Sequence, residues 1–144
     1  MSLEVSDVRK RVQQRLADLK RAAAAKRERT VQAGRDYEPF LADIATPVFT
    51  AVAQSLTAEG HPYRVITPGG TLRLASDRSN RTYVDLRLDT SGPSPVVLVE
   101  VSRERGHRVE ADERPLAADT GIVALTGEHV LEMLVEAIGE LIER

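Results

Sequence analysis

Cysteine and tryptophan are absent, and the only aromatic residues are Tyr37, Phe40, Phe49, Tyr63 and Tyr83. Without cysteine there are no disulfides, thiol nucleophiles or cysteine-ligated zinc. So few aromatics argue against a stacking platform for single-stranded nucleic acid, and aliphatic side chains must build the core. Histidine is scarce too, and His61, His107 and His129 fit no metal-ligand spacing. The sequence lacks a Gly-x-Ser-x-Gly elbow, and Pro68-Gly69-Gly70 reads as a turn because no Gly-Lys-Ser/Thr phosphate loop accompanies it. Nothing implies a cofactor. The first residues carry no apolar signal core and no stretch is expected to span a bilayer, so the expected setting is cytoplasmic, without a membrane partner.

What is present is charge sorted by position. The net charge is −2, yet residues 1–35 carry +6 and the remainder −8. A basic arm attached to an acidic body points to association. At 144 residues the chain is expected to form a basic helical arm, 1–35, on a single α+β domain, 36–144.

Between Glu4 and Ala33 there is neither proline nor glycine, and Ala22 to Ala25 favour helix, so a long helix is expected, stopped by Gly34. Its apolar residues Val5, Val8, Val12, Leu16, Leu19 and Ala23 step by three or four and make one narrow stripe. A broader apolar face follows, interrupted by Pro47 and closed by Gly60: Phe40, Leu41, Ile44, Val48, Phe49, Val52 and Leu56. Thr46-Pro47 reads as an N-cap followed by proline at the first helical position, which predicts two helices meeting at Thr46. At the other end, Thr126 is the expected cap of an amphipathic helix with Leu131, Leu134, Val135, Ile138, Leu141 and Ile142 inward.

From Tyr63 to Leu125 the period falls to two, with turn residues at short intervals. Strands are expected near 63–67, 71–77, 81–89, 96–103, 107–113 and 121–125. The fold class is therefore α+β: an antiparallel β-meander of five to six strands packed on helices, with a long N-terminal helix and a C-terminal amphipathic helix.

Alternation also predicts register. The apolar halves Val84, Leu86, Leu88 and Val97, Val99, Val101 must share a face, which sets Asp85 opposite Glu100. The 78–80 loop sets Leu74 opposite Val84 and Arg73 opposite Asp85. A three-residue loop at Glu104-Arg105-Gly106 would set Glu100 opposite Glu110. A row Arg73, Asp85, Glu100, Glu110 results, with Arg87 and Arg108 diagonal to Glu100. It is either a solvent-facing salt-bridge lattice or a site for a hard divalent cation held by Asp85, Glu100 and Glu110.

Asp85 in Tyr83-Val84-Asp85-Leu86, followed by Val97-Leu98-Val99-Glu100-Val101-Ser102, resembles the strand pair of the PD-(D/E)xK nucleases, in which an acid on one strand precedes Glu-x-Lys on the next. That resemblance implies a Mg²⁺-dependent nuclease-like domain. The family's lysine falls on Ser102, and a hairpin takes the place of the helix expected after the second strand.

The leading expectation is a protein-interaction or dimerisation module, a homo-oligomer or a complex with another protein. The arm's Val5, Val8, Val12, Leu16, Leu19, Arg11 and Arg15 would meet the glutamate row Glu132, Glu136 and Glu140 of the last helix, from the same chain or a second copy. Nucleic-acid binding through the basic helix ranks below it, and nuclease activity lower still.

Overall fold

The computed structural model describes residues 2–142. Helix α1 spans Val5–Phe40, a π-helical turn spans Leu41–Ala45, and α2 spans Thr46–Ala58. They are continuous, a single helix of 54 residues and about 80 Å. Gly34 is therefore not a stop. It lies inside α1, where a lone glycine costs about 1 kcal/mol relative to alanine and a long helix absorbs that. Thr46 is not an N-cap either. Its backbone is helical, and its N–H donates to the Leu41 carbonyl five residues back. The Thr46 hydroxyl donates to the same carbonyl at 2.7 Å.

Two prolines account for the widened turn. Pro39 and Pro47 lack the N–H that an α-helix requires and crowd the carbonyl four residues earlier, and a π turn between them relieves that crowding without a break. Burial records the extra residue. The inward positions step Ala33, Tyr37, Phe40, then five residues to Ala45, then Phe49, Val52 and Leu56. The stop comes at Gly60, whose φ of 92° ends α2 in a Schellman motif, with His61 N–H donating to the Leu56 carbonyl at 2.8 Å and Gly60 N–H to that of Thr57 at 3.1 Å.

The strands are β1 (Tyr63–Ile66), β2 (Leu72–Ser76), β3 (Tyr83–Asp89), β4 (Val96–Arg105) and β5 (Arg108–Pro115), in one antiparallel meander ordered β1-β2-β3-β4-β5. The sixth expected strand is absent. Ile122–Ala124 is a 3₁₀ turn, reached through a loop with Ala117 and Asp119 at positive φ, and Val123 is exposed. Helix α3 (Gly127–Leu141) starts where expected, since the Thr126 hydroxyl accepts from His129 N–H and His129 Nδ1 accepts from Thr126 N–H.

One sheet face is covered by α2 and α3, with Phe49, Leu72, Leu74, Val84, Leu86, Val99, Val130 and Leu134 fully buried. Gly127 packs on Val48 and Ile44, so α3 begins beside the start of α2. The inward face of α3 is Val130, Leu134 and Ala137, whereas Leu131 and Val135, expected inward, are 39% and 58% exposed. The apolar face of α3 is wider than the sheet covers. Contrary to the sequence expectation, one window of the Val5–Ala58 helix is long and apolar enough by composition to cross a bilayer, and 33% of it is buried inside the fold.

Tyr37 packs with Phe40, ring centroids 5.9 Å apart, and its buried hydroxyl has no hydrogen-bond partner. Burial pushes its pKa up to about 12. A phenol favoured in its neutral form contributes full stability below the unfolded value of about 10 and loses it as pH rises toward 12. Tyr37→Phe is expected to raise stability at pH 7 by up to about 1 kcal/mol, because the unpaired hydroxyl is removed. It should also flatten the decline between pH 10 and 12, measured by urea unfolding across that range.

Candidate interaction surfaces

The outermost part of α1 is free of the body. From Ser2 to Gln32 every residue is exposed or only partly covered, and Val5, Val8, Val12, Leu16 and Leu19 are 44–83% exposed. Lys26 Nζ links the arm to the sheet end of the body, donating to the Ser91 carbonyl at 3.4 Å. Among the described residues the arm's one ion pair is Arg21 with Asp18 on the same helix. Arg11 and Arg15 thus stand beside the stripe in solvent. At 100° per residue, Arg9 and Lys20 flank the stripe on one side and Arg11 and Arg15 on the other.

The arm does not reach the glutamate row of its own α3. Glu132 and Glu136 are exposed, and Glu140 is held by the sheet: Arg114 binds its carboxylate, and Arg103 donates to its backbone carbonyl at 3.1 Å. Cations from β4 and β5, not the arm of the same chain, thus meet the end of α3, where the free carbonyls carry partial negative charge. Arg103 also binds Glu110 at 2.8 Å and holds that carboxyl below its usual range. A depressed carboxyl contributes stability above its unfolded value of about 4.5, and the contribution is lost as pH falls through the lower folded value.

A groove runs between α2 and α3, walled by Val48, Ala51, Leu56, Leu131, Val135 and Ile138. Sequence periodicity missed it because Leu131 and Val135 carry the same repeat as core residues. The absence of any lysine or arginine on either helix was the legible sign that these faces share one electrostatic character.

The uncovered sheet face keeps part of the expected row. Arg73 pairs with Asp85, Leu74 with Val84 and Asp85 with Glu100, as alternation requires. The fourth member is wrong. The β4–β5 turn is the two residues Gly106-His107, with Gly106 at φ 61°, so Arg105 faces Arg108 and Glu100 faces Glu113. Glu110 faces Arg103 on the opposite side of the sheet, and Arg108 contacts Glu110 at 3.7 Å instead of Glu100.

Asp85, only 5% exposed, is gripped by Arg73 through two bonds of 2.6 and 2.8 Å, and the guanidinium stacks 3.8 Å over the Tyr83 ring. Arg87 bridges Glu113 at 2.6 Å and Glu100 at 3.6 Å. The pKa values of both arginines are raised, chiefly by these bonds to Asp85 and Glu113. Ser102 donates its hydroxyl to the Arg81 carbonyl at 2.7 Å. The face is thus an ion-pair lattice, and among the described residues no group of three His, Cys, Asp or Glu is placed to hold a metal ion.

No protein-family model, curated protein or solved structure matches the chain.

The lattice is not uniform in energy. Asp85→Asn leaves the largely covered Arg73 without its carboxylate and is expected to cost about 2–3 kcal/mol. Glu113→Gln, at an exposed carboxylate, should cost under about 1 kcal/mol. Equilibrium urea unfolding of the two variants checks the contrast.

Proposed function

We propose that this chain is a self-association module whose docking element is the N-terminal helical arm. The exposed stripe Val5, Val8, Val12, Leu16 and Leu19 carries the reading. Helices draw most of their stability from burying an apolar face, and this one is left in water over about four turns. The +6 arm and −8 remainder favour contact between arm and body over contact between two arms. A homodimer is the simplest closed assembly that satisfies both features.

A second reading rests on the arm's cations: Lys10, Arg11, Arg15, Lys20, Arg21, Lys26, Arg27 and Arg29 could neutralise phosphates, which would make the arm a nucleic-acid contact weakened steeply by salt. The acidic body opposes it, so self-association is preferred.

Sedimentation at about 50 µM protein should show a dimer that weakens as salt rises from 0.1 to 0.5 M, because part of the attraction is screened. Val12→Glu with Leu16→Glu should give a folded monomer, since both side chains are solvated within the single chain, and its unfolding midpoint should no longer depend on protein concentration. A wild-type monomer under these conditions would end the proposal, and binding of short duplex DNA with a steep salt slope would favour the second reading.

A further inference from the structure

We infer that the arm of one copy docks in the α2–α3 groove of a second copy, the exchange being reciprocal about a two-fold axis. This inference rests on the self-association reading and names the receiving surface.

Three observations carry it. The first is covalent. Arm and groove wall belong to one uninterrupted helix, and Val12 lies 40 residues from Val52, about 60 Å along a single axis. An arm that is part of the same rod as the groove wall cannot fold back into it, so the groove's occupant is another molecule. The same distance separates arm and groove in every copy. Two rods set antiparallel therefore satisfy both contacts at once, which closes the dimer and gives an isologous interface.

The second observation is electrostatic. The walls α2 and α3 contain no lysine or arginine, and Glu59, Glu128, Glu132 and Glu136 stand exposed on or beside them. From Val5 to Lys26 the arm carries seven cations against two carboxylates. Two arms side by side would repel, whereas arm and groove have opposite sign.

The third is apolar shape. The groove is lined almost wholly by aliphatic atoms between two helices that begin side by side. An amphipathic helix seats such a face with anchors stepping by three and four, the spacing of Val5, Val8, Val12, Leu16 and Leu19. Occupancy would cover Leu131 and Val135 on α3 and the stripe on α1, all of which the single chain leaves exposed.

The test is sedimentation of the full chain and three variants, with circular dichroism to confirm the fold. Leu131→Glu with Val135→Glu changes only exposed side chains of the groove and is expected to weaken dimerisation at least about 30-fold, the scale of losing a central apolar anchor. Arg11→Glu with Arg15→Glu should weaken it as well, and adding Glu128→Lys with Glu132→Lys to that chain should restore at least about ten-fold of the loss. If the arm variant Val12→Glu with Leu16→Glu is monomeric while the groove variant remains a full dimer, the groove assignment is overturned and arm association survives. A groove variant that weakens the dimer without rescue by the charge swap overturns the charge-matched docking. A monomeric wild-type chain removes both readings together.

Discussion

The relation between the buried core and the exposed arm depends on one constraint, the uninterrupted helix from Val5 to Ala58. One end is clamped by Phe49, Val52 and Leu56 against the sheet, and the other stands in solvent with its apolar side unclothed. Rigid continuity makes these two ends a single object. The fold is stable because the clamped end buries aliphatic and aromatic surface. The free end inherits its direction from that clamp, and Lys26 donates from it to the Ser91 carbonyl. The buried surface and the exposed apolar stripe thus lie at opposite ends of one element.

Charge is distributed by the same logic. Where carboxylates are covered, arginine meets them at close range: Arg73 on Asp85, Arg103 on Glu110, Arg114 on Glu140. Along the outer side of α3, Glu128, Glu132 and Glu136 are exposed, with Glu136 in the field of Arg114. The local pairs settle the sheet, and the unsettled remainder gives the body its acidic exterior opposite the basic arm. Exposed pairs such as Arg21–Asp18 add little to either role.

How much of this could be read from residue order depends on what enforces each feature. The β2–β3 and β3–β4 registers were legible because both strands of each pair alternate apolar and polar residues, and a one-residue slip would turn the core outward. Strand β5 has Val109 as its main apolar residue, so hydrophobic pattern could not choose its register. The two-residue Gly106-His107 turn chose it, which replaced Glu110 with Glu113 in the row. The Schellman stop at Gly60 and the Thr126 cap were readable because left-handed backbone and a hydroxyl cap are local chemistry. Gly34 misled for the converse reason: its cost is small beside the cooperativity of a long helix. The groove was invisible because periodicity shows that Leu131 and Val135 are apolar, and says nothing of how wide a strip the sheet can cover.

The widened turn at Leu41–Ala45 acts as a phase-setter. A helix indexed at 3.6 residues per turn rotates by about 100° for each residue added, so one extra residue between Pro39 and Pro47 decides which azimuth of the rod greets the sheet after it has already been decided which azimuth holds Ala33, Tyr37 and Phe40. Read outward from that joint, the stripe on the arm lies on roughly the side of the rod that enters the core, so whatever clothes it sits alongside the globule and not behind it. The direction in which the exposed stripe faces, some tens of ångströms away, is written in a single loosened coil of backbone.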